Sequence, residues 1–250
     1  MSTFLELLKE KIIVFDGAMG TYLQSLDLSI DEWGGPAFEN CSENLLYTRP
    51  DAIEAVHKAF LDVGCDVIET NSFGGSEVVL TEFGIADKTY DVNLRAAQLA
   101  KRIAGDYSTY DKPRFVAGSI GPGTKLPTLG HITYPALKDA YREQIRGLVD
   151  GGSDLLLVET CQDLLQTKAA LAAIFEHFEK NKIRIPVIAQ VTIEVFGTML
   201  NGTEIGAALT ALEPFPIDVI GMNCGTGPKQ MADSLRHLCE NSPIPVSVLP

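Results

Sequence analysis

The sequence predicts an α/β fold, and within that class a (β/α)8 barrel of the TIM type, from three observations. Seven short apolar runs recur along the 250 residues. Amphipathic segments with helical spacing lie between most of these runs. No linker or change in composition divides the chain. Strands and helices that alternate in this way form a parallel sheet.

The seven runs are continuously apolar, which is typical of strands buried on both faces. They are IIVF (12–15), DVIE (66–69), RFVAGS (114–119), LLLVE (155–159), PVIAQV (186–191), DVIGMN (218–223) and PVSVL (245–249). A closed barrel of this type needs eight strands, and Pro250 follows the seventh run directly. We therefore expect one domain, 1–250, that is a barrel truncated before strand 8.

The pattern by itself also allows a doubly wound parallel sheet. Neither GxGxxG nor GxxxxGK[ST] follows any of the runs. This excludes the commonest doubly wound nucleotide-binding proteins. Seven strands in one domain favour the barrel.

Start and stop signals mark the helices. Pro50 begins a segment with apolar residues at helical spacing, and Gly64 ends it. Asp163 and Thr203 are expected N-caps, and Gly151 is an expected C-cap. Further helices are predicted at 91–104, 134–150, 164–179, 204–212 and 229–239.

Charge and composition narrow the function classes. The formal net charge of −13 and the absence of a basic stripe disfavour nucleic acid as a partner. No apolar run reaches 18 residues, so no membrane span is expected. The segment from Met1 to Lys11 lacks the features of a signal peptide, which makes a cytoplasmic location the expectation. Five irregularly spaced cysteines do not form a disulfide framework.

Polar residues and glycines follow six of the seven runs, at the end where barrels of this class carry their chemistry. Asp16, Glu69 and Glu159 are acidic, and three carboxylates in one pocket repel one another unless a cation or a proton is present. A ligand ammonium group would supply that positive charge. The carboxylate of the same ligand could accept hydrogen bonds from backbone N–H groups of the turn from Asp16 to Thr21. This arrangement predicts an amino-acid binding site.

Histidine and cysteine positions constrain the reaction. No run ends in a histidine, so hydrolase-type triads have little support. Cys161 and Cys224 alone follow runs directly, and Cys224 lies in a glycine-rich segment after Asn223. A thiolate at Cys224 could be a nucleophile or a metal ligand, and the residues leave both open.

Several long motifs, in order, resemble the homocysteine S-methyltransferase family, and most closely the homocysteine-binding barrel of cobalamin-dependent methionine synthases. The resemblance spans about Ile12 to Pro250. The segments that carry it are FDGAMGTYLQ (15–24), ENCSENLLYTRPDAI (39–53), GCDVIETNSFGG (64–75), VAGSIGPGTKLP (116–127), GGSDLLLVETCQD (151–163) and IGMNCGTGP (220–228).

The resemblance implies a (β/α)8 barrel that binds homocysteine and gives roles to individual residues. The residues it assigns to the substrate are Asp16, Gly17, Ala18, Glu69, Asn71, Ser119, Glu159 and Asn223. Cys224 is implied as the catalytic metal ligand, one of three that hold zinc. A zinc-bound homocysteine sulfur would then accept a methyl group from methylcobalamin. The cobalamin-binding and methyltetrahydrofolate-binding modules are the implied partners.

The other two ligands in the family are adjacent cysteines after strand 8, and this sequence contains no such pair. We therefore expect an incomplete zinc site in this chain. Three alternatives remain: a methyltransferase that uses S-methylmethionine or betaine, a non-catalytic binding fragment, and an unrelated amino-acid-binding barrel of the aldolase type. The last has little support because no lysine directly follows a run.

Overall fold

The computed structural model describes residues 3–250. Met1 and Ser2, which begin the predicted domain 1–250 and the segment without signal-peptide features, lie outside the described residues. The strands are β1 Val67–Glu69, β2 Phe115–Ile120, β3 Leu155–Cys161, β4 Val187–Val191, β5 Val219–Asn223 and β6 Val246–Leu249. The helices are α1 Phe4–Leu8, α2 Met19–Gln24, α3 Ile30–Trp33, α4 Leu45–Thr48, α5 Pro50–Asp62, α6 Glu77–Glu82, α7 Thr89–Tyr107, α8 Tyr134–Ala140, α9 Arg142–Asp150, α10 Leu164–Asn181, α11 Ile205–Leu212 and α12 Pro228–Asn241.

Hydrogen bonds order the strands β1-β2-β3-β4-β5-β6 in one sheet, so neighbours in the sheet are neighbours in the sequence. The pairs β1–β2, β4–β5 and β5–β6 are parallel. Every residue of β2, β4 and β5 is buried, as continuously apolar runs predict. The predicted α/β class with parallel strands is confirmed, while a closed eight-stranded barrel stays a prediction.

The first predicted strand, IIVF, is much shorter than expected. Within the described residues it contributes one isolated parallel bridge, from Phe15 to Val67. Ile12 and Val14 are exposed, so the apolar character of this run does not come from burial on both faces. The prediction of a regular strand here was wrong, because an apolar run alone does not report which of its residues are covered.

The chain divides into two compact units. Unit 1 comprises residues 3–119 and Glu143–Leu156. Helices α5 and α7 lie against β1 and β2, and Leu61, Ile68, Ile103 and Val116 belong to one buried cluster. On α5 the buried residues recur at helical spacing, which places them on one face.

Unit 2 comprises Ile120–Arg142 and Leu157–Pro250. Its strands pair in sequential register, with Ile188 opposite Val219 and Ile220 opposite Val246. Helix α10 packs against α8 and α11.

Three strand-start aspartates each bind the preceding strand segment twice. The backbone N–H of the aspartate donates to the carbonyl of a partner residue, and the aspartate carboxylate accepts from the backbone N–H of that same partner. The pairs, with the distances of these two bonds, are Asp66 with Val14 (2.7 and 3.0 Å), Asp154 with Val116 (2.9 and 2.9 Å) and Asp218 with Val187 (2.9 and 2.7 Å). Each aspartate therefore fixes the register at the start of a strand.

The helices differ from the prediction in three places. The single helix predicted at 134–150 is two helices, α8 and α9, which are separated at the fully buried Tyr141. Asp163 caps α10 as predicted, since its carboxylate accepts from the N–H of Leu165. Thr203 does not cap α11, where Glu204 holds the N-cap position. After α9 the left-handed residue is Gly152 rather than Gly151.

Among the residues described, no helix combines the length and apolar character that crossing a membrane requires.

Candidate functional site

Four residues at the ends of β3 and β5 in unit 2 form a hydrogen-bonded group, which we call the Glu159 cluster: Glu159, Thr160, Asn223 and Cys224. The carboxyl ends of parallel strands lie on the same edge of a sheet, and β3 and β5 flank β4 in this one. Glu159 and Asn223 are buried, Thr160 is half-buried and Cys224 is exposed. A buried carboxylate and an exposed thiol therefore share one site.

Asn223 is the centre of this cluster. Its Nδ2 donates to Thr160 Oγ1 at 2.7 Å and lies 3.3 Å from Glu159 Oε2 and 3.4 Å from Cys224 Sγ. Its Oδ1 accepts from the backbone N–H of Thr160 at 2.8 Å. An amide NH₂ has only two hydrogens, so its three acceptors share them. The Asn223 side chain thus holds the carboxylate and the thiol at fixed positions.

The backbone of the cluster is strained at two non-glycine residues. Thr160 has φ of 56° and Cys224 has φ of 55°. A left-handed conformation is unfavourable for a β-branched residue such as threonine. Such conformations cost about 1–3 kcal/mol and concentrate at functional sites. The strain at Thr160 is offset by the hydrogen bond from its N–H to Asn223.

The two cysteines at the strand ends, Cys161 as the last residue of β3 and Cys224 directly after β5, differ in environment. Burial raises the pKa of the Cys161 thiol to about 12, and the carboxylates of Glu159 and Asp163 act in the same direction. Cys161 therefore remains protonated at neutral pH, as a buried core thiol. Cys224 is exposed and lies 3.8 Å from the Thr160 hydroxyl. Of these two, Cys224 is the thiol that a ligand can reach.

In unit 1, Asp16 is bound to the backbone of β1. Its N–H donates to the Val67 carbonyl at 3.0 Å, and both of its carboxylate oxygens accept from the Glu69 N–H at 3.0 and 3.1 Å. Asp16 is buried. An ionised carboxylate has about four lone-pair sites, so one carboxylate can accept from several donors at once.

Residues that follow β1 are tied to the end of β2. Thr70 Oγ1 accepts from the Ser119 N–H at 2.9 Å, and Ser72 Oγ donates to the Ser119 carbonyl at 2.8 Å. Asn71 donates from Nδ2 to the Ser42 carbonyl at 2.7 Å. Ser119 and Asn71 are buried and Glu69 is half-buried.

Gly17 and Ala18 lie in the exposed turn before α2. A Cβ atom added to Gly17 would lie 3.2 Å from two carbons of the Phe60 ring. That distance is tighter than an ordinary van der Waals contact, so packing against Phe60 is one reason for glycine here. Ala18 holds the N-cap position of α2 without a side-chain hydrogen bond.

The structure thus places the sequence-predicted residues in two groups, one in each unit. Glu159, Asn223 and Cys224 come together in unit 2, and Asp16, Gly17, Ala18, Glu69, Asn71 and Ser119 lie in unit 1. A common opening formed by both groups stays a prediction. The sequence reasoning did not assign Thr160, which bonds to the predicted residue Asn223. It also did not assign Glu43, which bonds to Gly74 after β1. Neither a backbone angle nor a long-range contact leaves a signal in one sequence.

Cys224 is the residue of the Glu159 cluster that could bind zinc through sulfur. Catalytic zinc takes three protein ligands, and Cys224 is the one sulfur in the Glu159 cluster. Across residues 3–250 the structure contains no group of three histidine, cysteine or acidic side chains arranged to hold a metal ion. Whether Cys224 takes part in a zinc site therefore stays a prediction.

A parallel sheet that carries a carboxylate, an amide and an accessible thiol at its strand ends defines an α/β protein with a candidate site at that edge. The family model described as homocysteine S-methyltransferase matches residues 13–250. The chain therefore belongs to the homocysteine S-methyltransferase family.

Two curated relatives are methionine synthases, from Mycobacterium tuberculosis and Mycobacterium leprae. Each is 49% identical to this chain over 246 residues, which is 98% of the chain and 20% of the relative. The chain spans about a fifth of the length of these relatives.

Solved structures of the Escherichia coli homocysteine methyltransferase MmuM are similar in fold. The metallated form has a TM-score of 0.81 at 21% identity and covers 97% of this chain and 85% of that one. The oxidised form has a TM-score of 0.78 at 20% identity, with coverage of 97% and 83%. At this level of identity the similarity concerns the fold.

Proposed function

We propose that this chain is the homocysteine-binding module of a methionine synthase, in which homocysteine receives a methyl group on sulfur to give methionine. The reaction forms a bond between the homocysteine sulfur and the methyl carbon, and it breaks the bond between that carbon and its donor. The donor keeps the electron pair of the broken bond, and the homocysteine thiol loses its proton. The chain's own task is to hold the amino acid and to place its sulfur beside Cys224.

The observation that carries this proposal is the Glu159 cluster. Glu159 lies beside Asn223, and Asn223 lies beside the exposed thiol of Cys224. A buried carboxylate suits the ammonium group of an amino acid, and an accessible sulfur suits a metal shared with a substrate thiol. The two ends of homocysteine carry these two chemistries.

The proposal extends to the full fold and to the residues of unit 1. In a (β/α)8 barrel, loops after all strands open on one face. In this proposal the unit 1 residues also bind the substrate: Asp16, Gly17, Ala18, Glu69, Asn71 and Ser119.

Zinc and methylcobalamin enter the proposal as the metal and the methyl source. Cys224 would be one zinc ligand, with the remaining ligands contributed by residues other than those described. Zinc, when bound to a thiol, favours its deprotonated, nucleophilic form. The cobalamin-binding and methyltetrahydrofolate-binding modules would be the partners, and a cytoplasmic location accompanies this assignment.

Substrate binding is tested by titrating the full-length protein with L-homocysteine in a calorimeter. We expect Glu159→Gln to weaken the affinity about tenfold or more, since it removes one charge of a buried ion pair with the ligand. Asp163→Asn is the matched control, because Asp163 is also buried but caps α10 and binds Thr128. Equal affinity of both variants would contradict the assignment of Glu159.

The methyl donor is tested by supplying methylcobalamin, S-methylmethionine or betaine to the same protein and measuring methionine. We expect methionine with methylcobalamin alone, because the curated relatives with 49% identity over nearly the whole chain are named methionine synthases. Turnover with either other donor would favour that branch of the family instead. Tight binding without turnover from any donor would favour a binding-only module.

Zinc binding has a readout that does not depend on activity. We expect Cys224→Ser to lower the zinc content of the full-length protein, measured by atomic absorption after dialysis. Cys161→Ser is the control, because burial keeps Cys161 protonated and it should retain the zinc content of the unchanged protein. Unchanged zinc in the Cys224 variant would rule out this residue as a ligand.

A further inference from the structure

A buried glutamate in unit 1 is bound to the loop that contains a proposed substrate residue. Glu43 lies in a short 3-10 helix, Ser42–Asn44, and it is 4% exposed. Its Oε1 accepts from the backbone N–H of Gly74 at 2.6 Å. Gly74 belongs to the segment 70–75 that follows β1, which we call the post-β1 loop.

The carboxylate of Glu43 faces hydrogen-bond donors on two sides. Oε1 binds the Gly74 N–H, and Ser42 Oγ donates to Oε2 at 3.2 Å. Burial raises the pKa of this carboxyl group, while its hydrogen bonds to N–H groups and to Ser42 oppose that shift. A buried carboxylate is expensive unless it is hydrogen-bonded. Its contacts show that it fixes the backbone of the post-β1 loop.

The residue beside Glu43 orients the same loop at a second point. The Ser42 carbonyl accepts from Asn71 Nδ2 at 2.7 Å. A carbonyl can only accept, so this contact determines which way the Asn71 amide is turned. The NH₂ group faces Ser42, and Oδ1 lies on the opposite side of the amide, where it can accept from a ligand N–H.

We propose that Glu43 is a positioning residue for amino-acid recognition, which holds the post-β1 loop so that Asn71 Oδ1 accepts from the amino group of the substrate. This inference rests on the proposed homocysteine-binding function and adds a residue that does not touch the ligand. Glu43 acts indirectly, because it binds the Gly74 N–H and so holds the backbone of the loop. The Ser42 carbonyl supplies the second point of attachment.

The test compares two ligands in the full-length protein by calorimetry. The first is L-homocysteine, and the second is sulfanylbutanoate, the same thiol acid without the amino group. We expect Glu43→Ala to weaken L-homocysteine binding about tenfold, which is the size expected for losing a hydrogen bond to a charged group. Binding of sulfanylbutanoate, which has no amino group, should change less than about twofold. A purely structural role would weaken both ligands alike.

Three further variants sharpen the test. Glu43→Gln keeps an oxygen for the Gly74 N–H, so we expect it to retain the ligand preference of the unchanged protein. Gly74→Ala places a Cβ 2.9 Å from Glu43 Oε1, so it should reproduce the Glu43→Ala effect by displacing the carboxylate. Asp66→Asn is the matched control, because Asp66 is also 4% exposed but fixes the start of β1.

Two outcomes overturn the inference while leaving the proposed function in place. One is that Glu43→Ala weakens the affinity for both ligands equally, or for neither. The other, decisive if that variant does not fold, is an unchanged ligand preference in Gly74→Ala. If the unchanged protein does not bind L-homocysteine, the proposed function fails and this inference fails with it.

Discussion

At the scale of single residues, the Glu159 cluster depends on one amide that serves backbone and side chains together. Asn223 accepts from the Thr160 N–H and donates to the Thr160 hydroxyl. Thr160 keeps a left-handed backbone conformation that its side chain disfavours. An amide in this position therefore offsets strain and orders the polar groups around it.

Replacing this amide should cost stability. We expect Asn223→Ala to lower the free energy of unfolding by about 1–3 kcal/mol, because the Thr160 N–H loses its acceptor while the strained backbone remains. Urea unfolding followed by circular dichroism measures this loss.

Thr160→Gly gives the complementary result. Glycine adopts positive φ without penalty. Asn223→Ala should therefore lower the free energy of unfolding by less in the Thr160→Gly background than in the unchanged chain. Equal losses in the two backgrounds would contradict the coupling between strain and amide.

Thiol accessibility gives a second prediction at this scale. We expect iodoacetamide to modify the exposed Cys224 and Cys239 before the buried Cys41, Cys65 and Cys161. Burial raises the pKa of these three thiols to about 11, 12 and 12 respectively, so they offer little thiolate at pH 8. Peptide mass spectrometry at increasing times measures the order.

The urea-unfolded chain is the control for this labelling, because all five cysteines should then react at similar rates. Modification of Cys161 as early as Cys224 in the folded chain would contradict the described burial.

Much of the chemistry at the strand ends follows from sequence, because parallel strands bring their carboxyl ends to one edge. That rule is enough to group Glu159, Asn223 and Cys224. It does not reveal Thr160, whose role depends on a backbone angle, nor Glu43, whose partner Gly74 is 31 residues away. Both depend on tertiary contacts that a local pattern does not encode.

At the scale of elements, the strand-start aspartates explain why the strands begin where they do. Asp66, Asp154 and Asp218 each form two backbone bonds with one residue of the preceding segment. Each also pairs with a basic side chain: Lys11 with Asp66, Lys101 with Asp154 and Arg184 with Asp218. The backbone bonds and the ion pairs can be separated by substitution.

For Asp154 we expect the backbone bond to dominate. Asp154→Ala should lower the free energy of unfolding by about 1–2 kcal/mol, because the Val116 N–H loses its acceptor. Asp154→Asn keeps an oxygen for that N–H and loses only the partly exposed pair with Lys101, which should cost less than about 1 kcal/mol. Urea unfolding of both variants and of Lys101→Ala measures the difference. Equal losses in the alanine and asparagine variants would assign the effect to the ion pair.

The positions of β1 to β6 were predicted to within about two residues, since continuous apolar runs bounded by polar residues mark buried parallel strands. The strand predicted at 12–15 was wrong because exposed Ile12 and Val14 give the same apolar signal as buried residues. The helix predicted at 134–150 was wrong at one point, Tyr141, where apolar periodicity continues across a break. The short helices α1 to α4 and α6 have too few turns for a periodic signal.

At the scale of the whole molecule, stability depends on pH through buried groups whose pKa values differ from their ordinary values. Burial lowers the pKa of His57 to about 4 from 6.5, against a smaller opposing effect of Glu54. Both ring nitrogens of His57 lack a hydrogen-bond partner within the part of the chain that the structure describes. Glu43 has the opposite shift, because burial raises its pKa. The two groups therefore affect the pH dependence with opposite signs.

The sign for His57 follows from which state binds the proton. Between pH 6.5 and about 4 the unfolded chain protonates this histidine while the folded chain keeps it neutral. The free energy of unfolding must therefore fall as the pH falls through this range, by about 2 kcal/mol for this group between pH 7 and pH 5. For Glu43 the folded state holds the proton at higher pH than the unfolded state, so its contribution decreases as the pH rises from 4.5 towards its raised pKa.

Because these two contributions oppose each other, the His57 effect is measured as a difference between variants. We expect His57→Leu to lose about 2 kcal/mol less free energy of unfolding than the unchanged chain when the pH falls from 7 to 5. Urea unfolding at both pH values gives the four free energies required. Glu43→Gln serves as the control, since removing a raised carboxyl pKa should steepen the loss at low pH rather than flatten it. A pH dependence unaltered by His57→Leu would mean that His57 is as accessible to protons in the folded chain as in the unfolded one.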